Sequence, residues 1–185
     1  MGGVVSAMTA AKRPDLVKKL VLIDPVIFDV SFFKYMQILP VAWRKKIIPI
    51  AKIAAKRRDV WENQEAVYQS FRTKRIFKRI PDKVLREVVN GLVEPNENGQ
   101  VRLVYPKSWE TQVYATAPSY FQTIKKSKTP MLIVKGQYSD VITQKVWSEW
   151  QAAQPNNHFL EVPDTGHLLP FEQPKLIADW ILEKL

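Results

Sequence analysis

Val162-Pro163-Asp164-Thr165-Gly166-His167-Leu168-Leu169-Pro170 puts a histidine in a glycine-bearing loop directly after an apolar run of strand length. Histidine is the usual proton carrier near neutral pH, and a loop held by a sheet behind it is where reactive side chains tend to sit. Taken alone His167 reads equally well as a packing or capping residue. What gives it weight lies upstream, where Met131-Leu132-Ile133-Val134 is followed by Gly136-Gln137-Tyr138-Ser139-Asp140. An apolar run that ends in a glycine turn and then an acid repeats the pattern of the histidine loop.

Working outward, Thr143 to Gln154 is expected to be a helix carrying Val146, Trp147 and Trp150. His158 to Val162 should be a strand, and Ile177, Trp180, Ile181 and Leu185 give the last helix an apolar stripe. Near the other end, Met1 to Ala11 reads as a helix of small residues stopped at Arg13-Pro14. Leu20-Val21-Leu22-Ile23 then forms a run apolar on both faces, suited to a buried parallel strand and ended by Asp24-Pro25. Strands alternating with helices indicate parallel β/α units, and hence an α/β fold.

Between these halves, from Ser31 to about Ala117, the pattern turns helical and basic. Trp43, Ile47, Ile50, Ala51 and Ala54 recur at helical spacing, with Pro49 expected to kink or divide the helix. Asp59 with Glu62 resembles a capping box ahead of Val60, Val67 and Phe71. A further helix opens at Pro81, uses Val84, Leu85, Val88 and Leu92, and breaks near Gly91; residues 94–99 read as a loop. Trp43, Trp61, Tyr68 and Phe71 are assigned to the core of this insertion. Three segments are therefore expected: 1–30, 31–117 and 118–185.

The chain's 185 residues suffice for an ordinary core, and 46% apolar content with mixed charge describes a globular protein. The net charge of +10 falls mainly in the insertion, where cations lie between apolar positions as on a solvated helix face. Neither nucleic acid nor a membrane is expected as partner, and the expected location is cytoplasmic. There is no cysteine, which excludes disulfides and thiolate chemistry within these residues. With His158 and His167 as the two histidines, and without a P-loop or G-x-G-x-x-G turn, no metal or other cofactor is expected.

These residues together resemble the C-terminal two-thirds of an α/β-hydrolase of the serine type with an inserted helical cap. Gly136-x-x-Ser139-Asp140 matches that family's acid turn, and Gly166-His167 its histidine loop. Met1-Gly2-Gly3, leading through Arg13-Pro14 to Leu20-Val21-Leu22-Ile23-Asp24-Pro25, is similar to the segment after the nucleophile in a Gly-His-Ser-Met-Gly-Gly elbow. Gly2, Gly3, Gly136 and Gly166, four of the chain's six glycines, fall at the family's turns.

The resemblance implies a catalytic His167 with Asp140 as its acid, Asp24 as the alternative acid, and the backbone N–H of Met1 as an oxyanion donor. It implies a small-molecule substrate of the carboxylic ester or related acyl class. It also places the nucleophile just before Met1, so the expected partner is the missing N-terminal half of the same fold, and the chain alone is expected to be inactive. An internal start, a truncated gene model or a split gene would each give such a chain. Relatives with an Asp nucleophile, the epoxide hydrolases and dehalogenases, fit the same residues. Two readings of another class also stand. Met1-Gly2-Gly3-Val4-Val5-Ser6 satisfies the myristoylation pattern and would suit a basic membrane-surface protein, and the fold half would suit a non-catalytic binding module.

Overall fold

The computed structural model describes residues 1–27, 38–117 and 120–185. They divide into two compact units, Met1–Phe33 with Ser119–Leu185, and Lys34–Pro118. The expected segment boundaries at 30/31 and 117/118 fall in or beside stretches outside the described residues.

The first unit opens with helix α1 (Gly2–Lys12), whose Val4, Ala7 and Ala10 are buried. A 3-10 turn at Pro14–Leu16 leads to strand β1 (Leu20–Ile23). A Cβ on Gly3 would stand 3.5 Å from the Pro25 side chain and 3.7 Å from that of Leu22, so the start of α1 lies close over the end of β1.

The second unit begins with α2 (Val41–Ile47) and α3 (Pro49–Lys56), and Pro49 divides them as its missing N–H and fixed φ require. Strand β2 (Val60–Trp61) precedes α4 (Gln64–Arg72), and α5 spans Asp82–Leu92. Strands β3 (Val93–Pro95) and β4 (Val101–Leu103) form a hairpin, and α6 (Lys107–Thr116) closes the unit.

Two features depart from the sequence reading. The cap of α4 is Asn63, whose side chain accepts from the Ala66 amide at 2.9 Å, while Asp59 pairs with Lys107 at 3.0 Å; the Asp59–Glu62 capping box is not formed. And β2, β4 and β3 make a small antiparallel sheet in that order, where the sequence suggested helix and loop. The Trp61 ring is buried and meets Phe71 edge-on, and Phe71 stacks on Phe77. Trp61, Tyr68 and Phe71 are thus core residues, as expected; Trp43 is not, being 61% exposed.

Returning to the first unit, α7 (Phe121–Ile124) precedes β5 (Met131–Gly136), then α8 (Gln144–Ala153) and β6 (His158–Val162). Helices α9 (Leu169–Glu172) and α10 (Pro174–Lys184) complete the chain. The sheet is wholly parallel in the order β1-β5-β6, with Leu20 opposite Met131, and Leu132 opposite His158.

Each residue of β5 is buried, and successive side chains enter opposite layers. Met131 and Ile133 join Ala7, Ala10, Phe121, Trp147 and Trp150 on one side, whereas Val134 joins Val162, Leu169 and Ile177 on the other. This two-sided burial is what the continuous apolar runs predict. Lys135, on the first side, pairs with Glu161 at 2.7 Å and donates to Gln144 Oε1 at 3.1 Å, so its buried ammonium is not left without partners. Among the described residues β1 is paired on one side alone, which makes it an edge of the sheet, as β6 is on the other side. No described helix is long and apolar enough to cross a membrane.

Candidate active site

The carboxyl ends of β1, β5 and β6 bring three turns together. Asp24, the first residue past β1, takes φ 45°, a left-handed conformation that Asp tolerates better than most residues. Its amide donates to the Val134 carbonyl at 2.7 Å, which ties this turn to the middle strand. The kink turns the carboxylate inward, leaving Asp24 2% exposed.

The β5 turn holds both neighbours. Ser139 Oγ donates to Asp24 Oδ2 at 2.7 Å, and the Ser139 amide donates to the Gly136 carbonyl at 3.0 Å. On the β6 side the amide of Gln137 donates to Val162 O at 3.0 Å and that of Tyr138 to Thr165 O at 2.8 Å. The Asp164 amide donates back to Gln137 Oε1 at 3.0 Å, and Tyr138 OH to Asp164 Oδ1 at 3.3 Å. Gly136 is required by this close approach, since a Cβ there would lie 2.3 Å from the Gly166 carbonyl oxygen.

The histidine loop is fixed from its own side as well. Thr165 Oγ1 donates to Val162 O at 2.9 Å, and Glu172 Oε2 accepts from the Gly166 amide at 2.8 Å. His167 comes next, with its Nδ1 2.7 Å from Asp24 Oδ2. The imidazole is 27% exposed and the carboxylate beneath it almost wholly covered. With Nδ1–H donated to the carboxylate, the neutral ring carries its free lone pair on Nε2. That nitrogen has no hydrogen-bond partner among the described residues. Such a pair is built to accept a proton at Nε2 and to stabilise the resulting imidazolium from behind.

The sequence reading placed Asp140 behind the imidazole and kept Asp24 as the alternative; the structure puts Asp24 there. Asp140 is exposed, and the side chain of the β5 turn that reaches the site is its neighbour Ser139. Strands β1 and β5 are adjacent, so acids at either carboxyl end lie near the histidine, and the inward kink at residue 24 decides between them. Ser139 Oγ also accepts from the Val141 amide at 3.4 Å, while its own hydrogen goes to Asp24. Asp164, at φ 55°, accepts from Tyr138 OH across the two turns. His158 is exposed at the start of β6. Met1 caps α1, its carbonyl accepting from the amides of Val4 at 3.0 Å and Val5 at 3.2 Å.

Comparison with known proteins places the chain in a family. Residues 1–174 match the family model described as alpha/beta hydrolase fold. The chain is 25% identical to the "Uncharacterized hydrolase YugF" of Bacillus subtilis (strain 168) over 185 residues, covering 99% of this chain and 62% of that protein. It thus spans less than two-thirds of that relative's length. Among solved structures, E-2-(acetamidomethylene)succinate hydrolase superposes with a TM-score of 0.76 at 19% identity, over 98% of this chain and 62% of the other. The Mycobacterium tuberculosis esterase Rv0045c gives 0.68 at 19% identity, over 97% and 58%. Likeness at such identities speaks for the fold alone. The parallel strands, the helices on both sides of them and the family match over nearly the whole length lead to one conclusion: the chain belongs to the α/β-hydrolase fold family.

Proposed function

We propose that His167 and Asp24 are the base and acid of a nucleophile–histidine–acid hydrolase acting on carboxylic esters or related acyl compounds. The observation that carries this reading is the 2.7 Å contact of His167 Nδ1 with a buried carboxylate at the carboxyl end of a parallel sheet, with Nε2 left unbonded. In that role Nε2 takes the proton from the nucleophile as it adds to the substrate carbonyl, then returns it to the leaving alkoxide. Asp24 holds the ring in the Nδ1–H tautomer throughout.

The nucleophile in this reading is a residue other than those described, since no hydroxyl or carboxylate among them meets Nε2. Ser139 cannot serve, because it sits on the Asp24 side of the imidazole. The backbone N–H of Met1, at the start of α1, would be an oxyanion donor once a residue precedes it, a contribution of about 3 kcal/mol in such sites. The Lys34–Pro118 unit takes the part of the helical cap. On this view the 185 residues by themselves do not turn over an ester.

Two measurements test this. With p-nitrophenyl acetate, the chain alone should show no saturable hydrolysis that His167→Ala removes; such an activity would refute the assignment of the nucleophile. In a form of the protein that carries the nucleophile, Asp24→Asn should lower turnover by about 10⁴, as loss of tautomer control does in such triads. Asp140→Asn should change it little, and a larger loss at Asp140 would transfer the acid to the β5 turn.

A further inference from the structure

The sequence assigns Trp43 to the core of the insertion and puts Ile47 and Ile50 at helical spacing with it, yet all three are exposed. Ile48, Ala51 and Ala54 are the buried residues of this stretch. Trp43, Ile47, Ile50 and Ile53 are 61%, 45%, 38% and 69% exposed. Trp43 and Ile47 stand one turn apart on α2, as do Ile50 and Ile53 on α3. Ile47 and Ile53 line one open groove with Pro49, Lys52, Lys56 and Arg57.

The charge on this surface has a single sign. Residues 38–58 contain Arg44, Lys45, Lys46, Lys52, Lys56, Arg57 and Arg58 and not one Asp or Glu. Arg57 is paired with Glu110 and Arg58 with Glu62. Lys46, Lys52 and Lys56 are exposed, and they make no ion pair among the described residues. A solvated helix face would present its cations and bury its isoleucines; here Ile47 and Ile53 share an open groove with Lys52 and Lys56. That combination suits one environment, the boundary of an anionic bilayer, where apolar side chains enter the acyl region while lysine ammonium groups stay among the headgroup phosphates.

We propose that the α2–α3 face is a peripheral docking surface for membranes containing anionic phospholipid. Trp43, Ile47, Ile50 and Ile53 are the inserting residues, and Lys46, Lys52 and Lys56 the headgroup contacts. The surface belongs wholly to the Lys34–Pro118 unit and does not depend on the histidine site.

Flotation of the chain with vesicles on a density gradient tests this, since protein aggregates sink while bound protein rises. Protein should float with vesicles of phosphatidylcholine plus phosphatidylglycerol and stay down with phosphatidylcholine alone. It should also show a blue shift of tryptophan emission on the anionic vesicles, absent in Trp43→Phe. Neutralising three surface lysines, Lys46→Gln with Lys52→Gln and Lys56→Gln, should weaken partitioning roughly a hundred-fold. Ile53→Ser, which leaves every charge in place, should weaken it about ten-fold, and His167→Ala should float like the parent.

Equal flotation with both vesicle types overturns the proposal, and so does failure to float with the anionic ones. Retention of binding in the lysine variant or in Ile53→Ser does the same. A dimer in sedimentation equilibrium that Ile53→Ser dissociates, with flotation unchanged, would instead assign the face to a second copy of the chain.

Discussion

Replacing Gly136 by alanine tests how the histidine loop is held. An alanine Cβ would sit 2.3 Å from the Gly166 carbonyl oxygen and 2.9 Å from that of Thr165. Both obstacles are backbone atoms, so no rotamer change relieves them, and one loop must move by about an ångström to restore van der Waals distance. Forcing a methyl into a packed site costs about 1–3 kcal/mol. The same movement strains the Tyr138–Thr165 and Gln137–Val162 backbone hydrogen bonds, each worth about 1 kcal/mol. Alanine's narrower unfolded ensemble returns about 0.4–1 kcal/mol. The net loss is therefore about 2–4 kcal/mol, a large share of the ~5–15 kcal/mol typical of a domain.

Urea unfolding followed by tryptophan fluorescence measures this loss, and the downfield proton resonance of His167 Nδ1–H reports whether the loop still reaches Asp24. Gly136→Ala should lower the midpoint and broaden or remove that resonance. A variant within about 0.5 kcal/mol of the parent, with the resonance intact, would refute the claim that the two turns are held by direct backbone approach.

Other expectations concern the rest of the molecule. The Tyr68 hydroxyl and Arg72 hold the Asp82 carboxyl below its ordinary range, and Arg86 does the same for Glu65. A carboxylate whose folded-state pKa is depressed contributes stability above its unfolded pKa and loses it as pH falls through the folded one. Unfolding midpoints should therefore drop on acidification below the usual carboxylate range, with a shallower drop in Asp82→Asn; superimposable acid limbs would contradict this. Strand β1 is a sheet edge with Ile23 partly exposed, so the isolated chain should self-associate and Ile23→Lys should reduce it. Analytical ultracentrifugation showing a monomer of the parent, with one sharp thermal transition, would sink that expectation.

What the sequence made legible was whatever a local pattern determines. The runs at residues 20–23 and 131–134 read as strands because short stretches apolar on both faces suit a buried parallel strand, and Pro49 interrupts a helix because it lacks the N–H that the ladder needs. Asn63 escaped notice because Asp59 offers the same chemistry four residues earlier, and the choice falls to Lys107, distant in sequence. Strands of two or three residues, such as β2 and β4, carry too little periodicity to be seen.

Helical spacing groups Ile50 with Ala51 and Ala54, and packing separates them. Ile50 with Ile53 and Ala51 with Ala54 are both spaced for one helix face, and α3 packs against α6 through the side bearing the small residues. The sequence favours Asp140 over Asp24, and the structure sets Asp24 against His167 instead, because strand adjacency is a property of the sheet, not of the chain. His167 can be picked out without strand order, from its own glycine loop and strand taken together with the matching glycine turn upstream.

Asp24 and His167 lie in the turns that follow the two outer strands of this sheet, with β5 between them, so their meeting depends on alignment across two ladders at once. A parallel strand advances about 3.3 Å per residue, more than the 2.7 Å that separates Nδ1 from Oδ2. A slip of one position in either ladder would both break that contact and turn the strand's side chains to the wrong layer. The pair therefore acts as a vernier. A single proton resonance at His167 would distinguish a correctly threaded sheet from every near-miss, and folding errors in this molecule would show as loss of the site before any loss of secondary structure.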